Sequence, residues 1–375
     1  MRRARGARRG HLWSSVFGMA KLRTVPAAVL EGSELVHLGG GETVPCPGIE
    51  STPLAPAARH LGLGSPSLAL PPAKVHVLRD AKVCPGSRLV TTLGGRIVAE
   101  SMTTDMPGRV EVSEQELRAR PVKLPGTIAL FRSPWNAQFH TLVDQLPRAA
   151  LLAQPAMRRV GPITLVHDGP LSDMEAELLP RLLGRHITLL EVEPGVPLVA
   201  ERVLLPGYVT RPFSGAMPSW YRRWIDREAA SIRVEDVSPS GRRRRYYVDR
   251  SSGDRTVTNR ADLDEVLARH HVTTIRPSTM NARERIVRFR DAEVVIGVLG
   301  SGMSNLVFSR SARVIELVSG PELLPQLFYL AACKGLPYRY IVAPEDGLRL
   351  SAEQRLYQQV VVDVDALDHA LSELG

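Results

Sequence analysis

A chain of 375 residues is long for one domain and suits two of about 150–200 residues each, with a core apiece. Hydrophobic residues at 44% and charged residues at 23% exclude a chain disordered over most of its length. Cys46, Cys84 and Cys333 are too far apart for a zinc spacing and odd in number for a disulfide framework, so a reducing compartment is expected.

The net charge of +9 includes Arg2, Arg3, Arg5, Arg8 and Arg9 at the start and Arg242 to Arg245 in the middle. Such clusters can meet nucleic acid, an anionic membrane surface or an acidic substrate, or can be a solvated tail and a solvated linker. Aromatic residues make up only 5% and are not interleaved with the arginines, so no nucleic acid is expected as a partner. No run approaches the roughly 18 consecutive apolar residues of a membrane span. The segment behind the first arginines is broken by His11, Ser14, Ser15 and Lys21, which argues against a cleaved signal. The expected location is cytoplasmic, with a peripheral contact at the inner face of the membrane as an open option.

In chain order, residues 1–20 read as a basic tail and 21–120 as a β-rich N-terminal region. Val75 to Leu78, Arg88 to Leu93 and Arg96 to Ala99 are predicted strands, with Gly94-Gly95 as a hairpin signal. The rest of a first domain, 21–233, follows. Thr127 to Phe131 is a predicted strand and Asn136 to Leu146 a helix, with Phe139, Leu142, Val143 and Leu146 on its apolar face. His140 and Asp144 are one turn apart on the flank of that face, which allows either a catalytic pair in a cleft or a surface ion pair. Strands at Ile163 to Val166, Ile187 to Glu191 and Arg202 to Leu205, with a helix at Asp173 to Leu183, indicate a mostly parallel sheet. Trp220, Trp224 and Ile225 mark an amphipathic helix running to Ser231.

Residues 234–245, with Ser238-Pro239-Ser240-Gly241 and the arginines, read as a linker to a second domain, 246–375. Tyr246 to Asp249 is a strand ending at Arg250. Asp262 to His270 is a helix that Asn259 could cap, and Val272 to Ile275 a strand. Asn281 to Ala292 is a helix with Glu284 placed for a capping interaction. Strand 293–298 runs into the glycine turn Leu299-Gly300-Ser301-Gly302-Met303-Ser304-Asn305, and Arg313 to Val318 is a further strand. The order implies a doubly wound sheet whose ligand lies at the carboxyl ends of its strands. A strand turning into a helix N-terminus through glycines favours a bound phosphate. The spacing is nonetheless neither Gly-x-Gly-x-x-Gly nor a Walker loop, and glycine also serves positive φ or close packing.

Taken together, Tyr247-Val248-Asp249-Arg250, Arg255-x-Val257-x-Asn259, Leu263, Glu284, Ala292-x-Val294-Val295-Ile296-Gly297, Gly300-x-Gly302-x-x-Asn305-Leu306-x-Phe308 and Val314-Ile315-Glu316-Leu317 resemble the C-terminal half of glycosyltransferase family 61. Upstream, Asn136-x-x-Phe139-His140-x-x-x-Asp144-x-Leu146-Pro147-Arg148 is similar to the acceptor-side signature of that family. The likeness spans about Leu124 to Tyr340. The chain departs from the family pattern at Leu299, where a histidine is usual, at Arg285, where a glutamine is, and at Arg260, where a glutamate is.

The resemblance implies an α/β, GT-B-like fold of two Rossmann-like domains facing a cleft, with a nucleotide-sugar donor, mostly a UDP sugar, on the C-terminal side. It implies inversion at the anomeric carbon with no catalytic metal and no cofactor, and a glycan or polysaccharide acceptor, as in bacterial relatives tied to capsular or exopolysaccharide synthesis. On this reading Asp144 is the catalytic base, with His140 orienting it or taking its place. Arg250 and Arg255 meet the donor diphosphate with the N–H groups of Ser301 to Asn305, Glu316 accepts from the ribose hydroxyls, and Asn259, Glu284, Gly300 and Gly302 complete the donor side. Two alternatives stand beside it: a binding protein that keeps the fold without turnover, and a basic partner of nucleic acid or a membrane surface.

Overall fold

Short runs of β-branched and aliphatic residues build two parallel sheets, and both end on the same region of the molecule. In the computed structural model the described residues are 24–374, apart from 53, 103–112, 114–115, 117, 136, 213, 234–243, 251–254, 319–323 and 344–358. The expected basic tail and most of the expected linker therefore lie outside the described residues. The linker's last residue, Arg245, is buried and opens a strand.

The first sheet is formed, in chain order, by β1 (Glu34–Gly39), β2 (Ala73–Leu78), β3 (Thr127–Leu130), β4 (Ile163–Asp168), β5 (Ile187–Val192) and β6 (Arg202–Pro206). Their spatial order is β5-β4-β3-β6-β2-β1. The four strands β5, β4, β3 and β6 are mutually parallel, whereas β2 runs antiparallel to β6 and β1 antiparallel to β2. The N-terminal region, expected as a β-rich part of the first domain, contributes two strands to this sheet. Its other strands go into a two-stranded sheet, Thr43–Pro45 with Ser67–Ala69, and a small mixed sheet that includes the hairpin Leu89–Thr92 and Ile97–Val98, turned at Gly95 with φ of 82°.

The second sheet comprises β7 (Arg245–Val248), β8 (Thr273–Ile275), β9 (Val294–Val298), β10 (Arg313–Val318) and β11 (Tyr338–Val342). All are parallel in the order β8-β7-β9-β10-β11. This doubly wound order places its crevice where the chain reverses direction, between β7 and β9. In the first sheet the chain moves from β3 outward to β5 and then returns to the other side of β3, so the corresponding crevice lies between β3 and β6.

Strand alternation explains the packing. Ile128 and Leu130 of β3 face Val83 and Val90 of the small sheet, while Ala129 and Phe131 face the other way. Tyr247, Ile296, Ile315 and Leu317 pack outward against Leu367 of the C-terminal helix Val364–Ser372. Their neighbours Val248 and Val295 face inward. Those inward faces belong to one continuous core that also takes in Leu142, Val143, Met303, Leu306 and Phe328. Two separate cores were expected; the two sheets share one.

Helix α1 runs from Gln138 to Leu152 as an α turn (Gln138–His140), a π-helical turn (Thr141–Gln145) and a further α segment (Leu146–Leu152). Pro147 has no N–H for the carbonyl of Val143, and the wider π turn just before it takes up the break. The predicted helix is thus present but longer, and interrupted at Asp144. Helices α2 (Asp173–Leu182), α3 (Ser219–Ser231), α4 (Arg260–Arg269), α5 (Ala282–Arg290) and α6 (Gln326–Lys334) follow. α2 and α5 both start in reciprocal capping boxes, Ser172 with Glu175 and Asn281 with Glu284, each cap being worth about 1 kcal/mol.

Candidate active site

At the crevice of the first sheet, the fully buried Arg148 of α1 ties the strand ends together. Its guanidinium donates to the carbonyls of Pro206 at the end of β6 (2.9 Å) and of Phe131 and Arg132 after β3 (2.8 and 2.9 Å), and lies over the Tyr208 ring. One turn before it, Asp144 stands in the same crevice. His140 Nδ1 is 2.6 Å from Asp144 Oδ2, and the Thr210 hydroxyl, in the loop after β6, donates to Asp144 Oδ1 at 2.8 Å. The Trp135 ring stacks on the His140 imidazole, with centroids 5.7 Å apart. The two side chains retain 24% and 12% of their exposure, so the pair is an inward-facing one with an opening rather than a solvated surface pair. An imidazole held by a carboxylate and capped by an indole face is suited to accepting or relaying a proton.

Beside this pair, toward β4, the strand ends carry a closed ion network. Arg132 grips Glu175 with two nitrogens (3.0 and 2.8 Å) and also reaches Asp168. Arg88 grips the same Asp168 with Nε and Nη2. These groups and Gln138, Thr141 and Gln145 of α1 line a cavity of about 560 Å³. Each of its arginines is matched by a carboxylate, so its floor is polar with little charge to spare.

At the crevice of the second sheet, Arg250 after β7 lies against the turn after β9, donating to the Leu299 carbonyl at 3.4 Å. The turn continues as a 3₁₀ helix, Ser301–Phe308, where an α-helix was expected. None of its glycines is left-handed, Gly300 being extended; close approach is what excludes side chains. A Cβ on Gly300 would lie 2.6 Å from Arg250 Nη1, on Gly302 2.9 Å from Val248 Cγ1, and on Gly297 2.7 Å from Met303 Sδ. Arg255, at φ of 63°, carries charge toward Glu316 of β10. Glu316 is fully buried, takes a hydrogen bond on Oε2 from the Tyr338 hydroxyl, and has no partner at Oε1 among the described residues. Burial pushes its carboxyl from an ordinary value of 4.5 up to about 7, against the opposing pull of Tyr338 and Arg255.

A polar chain joins the two crevices. Gln138, two residues before His140, donates to Asn305 Oδ1 in the 3₁₀ helix at 2.8 Å. Arg285 of α5 donates to Gln138 Oε1 at 2.6 Å and pairs with Asp173 of α2. Arg285 thus bridges the two sheets. Arg260, the other charged departure, binds Asp249 and Asp264 and covers the Tyr247 ring.

The structure therefore brings together His140 with Asp144, and Arg250 with Leu299 and Gly300. Three expected donor-side residues are engaged elsewhere. Asn259 does not cap α4 with its side chain; its carboxamide exchanges two hydrogen bonds with the backbone of Val362. The Glu284 carboxylate closes the α5 capping box. The Asn305 carboxamide is filled by Gln138 and by the Gly302 carbonyl. Sequence reasoning missed Thr210, Trp135, Gln138 and Tyr338. No motif flags Thr210, whose nearness to Asp144 arises only because β6 lies beside β3.

Comparison with known proteins identifies the class: the protein is a glycosyltransferase. Residues 139–315 match the model of the family Glycosyltransferase 61. The matched span includes His140, Asp144, Arg250, Arg255 and the glycine turn, and stops one residue before Glu316. No curated protein matches the chain.

Proposed function

We propose that the protein is an inverting glycosyltransferase of GT-B type that moves a sugar from a nucleotide-sugar donor, a UDP sugar in the first instance, to a hydroxyl of a glycan or polysaccharide without a catalytic metal. The observation that carries this reading is the Gln138–Asn305 hydrogen bond, which sets the helix bearing His140 and Asp144 directly against the glycine-turn helix of the second sheet. On this reading the donor diphosphate sits at the β7/β9 crevice on Arg250, Arg255 and the first N–H groups of the 3₁₀ helix. The ribose faces Glu316.

The acceptor hydroxyl attacks the anomeric carbon from the side opposite the diphosphate while Asp144 takes its proton. The new C–O bond forms as the bond to the diphosphate oxygen breaks, and the electron pair leaves with the diphosphate. Arginines and backbone dipoles fixed in place beforehand stabilise that growing charge. His140 and Thr210 hold the two Asp144 oxygens, so the carboxylate need not reorient as it accepts the proton.

Two measurements test this. UDP without added divalent metal should raise the melting temperature, since a ligand at 100 times its dissociation constant adds about 2.7 kcal/mol; a strict requirement for manganese or magnesium would refute metal independence. Asp144→Asn keeps shape and removes basicity, and should lower transfer by ~10²-fold or more with UDP affinity nearly unchanged. Transfer at the wild-type rate would move the base to His140. A second reading is favoured by one observation: Leu299 is buried in the shared core at the position of the usual histidine, leaving no imidazole there. A protein that binds UDP sugars but neither transfers nor hydrolyses them would establish that reading.

A further inference from the structure

At the second crevice Glu316 is a fully buried carboxylate whose two oxygens are treated differently. Oε2 is held by the Tyr338 hydroxyl, whereas Oε1 has no partner among the described residues. A buried, unpartnered carboxylate oxygen is costly, and its persistence here calls for a donor that none of the described residues supplies.

The groups around it are few. β11 offers Tyr338 and, in direct register with Glu316, Tyr340. β9 offers Gly297 on the other side, with no side chain to reach across. The turn after β7 offers Arg255, whose charge acts on Glu316. Helix α6 sets the Phe328 ring edge-on against Tyr338 at 5.4 Å and so limits how the phenol can turn. Burial and the adjacent Glu316 push the Tyr338 hydroxyl well above its ordinary value, so it stays a donor at every working pH.

We propose that Tyr338 is a positioning residue for nucleotide recognition: by holding Oε2 it turns Glu316 so that Oε1 alone is offered to a ribose hydroxyl, making the site selective for ribonucleotides over 2′-deoxyribonucleotides. This rests on the reading of the second crevice as the donor site. The discrimination follows from chemistry already described. A nucleotide lacking the hydroxyl leaves Oε1 buried and unpaired, and a site built around a hydroxyl rejects the analogue that lacks it more strongly than an apolar pocket rejects a missing methylene.

Protonation gives a second readout. A protonated Glu316 places a hydrogen where an acceptor is required, so ribonucleotide affinity should fall as pH drops through about 7 and level off above it. Removing the Tyr338 hydrogen bond takes away a contact that favours the ionised form, and the midpoint should move upward.

The experiment is calorimetric titration of UDP and 2′-deoxy-UDP into the whole protein and into Tyr338→Phe, at pH values from about 5.5 to 8.5 that bracket the expected midpoint. The two ligands carry the same phosphates, so their ratio isolates the ribose. The wild type should prefer UDP by at least ~10-fold above the midpoint; Tyr338→Phe should narrow that preference several-fold and shift the pH step upward. Glu316→Gln, which presents an amide in place of the carboxylate, should abolish both preference and pH step and serves if the phenylalanine variant does not fold. If neither nucleotide binds, the donor-site reading itself fails. If UDP binds but either variant keeps the wild-type ratio and pH profile, the donor site stands and the positioning role is overturned.

Discussion

The carboxyl ends of the two parallel sheets are built on opposite electrostatic plans. In the first sheet Arg132 meets Glu175 and Asp168, Arg88 meets Asp168, and Arg148 meets three strand-end carbonyls. In the second, Arg250 lies against the glycine turn, Arg255 acts on Glu316, and Glu316 keeps one oxygen without a partner among the described residues. Closed networks hold a fold in place, because each member is needed by the others. A buried oxygen left without a partner is what a ligand can complete. Within the first sheet's end, Asp144 stands apart from the closed network on the other flank of α1, partly exposed beside His140.

This contrast can be broken most forcefully at Glu175. Glu175→Ala would leave the Arg132 guanidinium buried without its bidentate partner, and the expected loss is about 3–5 kcal/mol of stability by urea unfolding. A loss below 1 kcal/mol would mean the network is not a structural keystone. Next in size is Glu316→Gln. The folded protein holds the Glu316 proton more tightly than the unfolded chain does, so this group's contribution to stability is full below pH 4.5 and is lost as pH rises through about 7. The glutamine variant lacks that dependence. Between pH 4.5 and 8 it should gain roughly 3 kcal/mol relative to the wild type, read as the difference between paired unfolding curves. A constant difference would show that Glu316 is not desolvated.

Smaller effects sharpen the comparison at the glycine turn. Arg250→Ala should weaken UDP binding by about 1.5–3 kcal/mol, the range for a charge-assisted hydrogen bond. Arg227→Ala, on a side chain that is 68% exposed, should change nothing measurable. Equal effects in calorimetry would remove Arg250 from the site. Gly302→Ala forces a methyl against Val248 and should cost about 1–3 kcal/mol. Gly300→Ala meets only the movable end of Arg250 and should cost under about 1 kcal/mol, while turning that guanidinium away and reducing nucleotide affinity.

Much of this was legible beforehand because buried strands and amphipathic helices write themselves in periodicity. The runs Val294–Val298 and Arg313–Val318 were readable as strands, the Asn281–Glu284 capping box as a helix start, and the β7/β9 crevice followed from strand order. What could not be read was the outcome of tertiary pairing. The partnership of β2 with β6, the arrival of Thr210 beside Asp144 and that of Tyr338 beside Glu316 each join segments far apart in the chain. The 3₁₀ form of Ser301–Phe308 reflects close packing on Val248 and Pro277, which local propensity does not register.

The single core beneath both sheets has a consequence for how the chain can be divided. Met303, Leu306 and Phe328 from one side and Leu142, Val143 and Phe139 from the other bury each other's apolar surface. Either half produced alone would present that surface to water and tend to self-associate. A fragment ending before residue 234 and one starting at 244, made together, should recover each other as a tight non-covalent pair, and the strength of that re-association would measure how far the two halves fold as one cooperative unit.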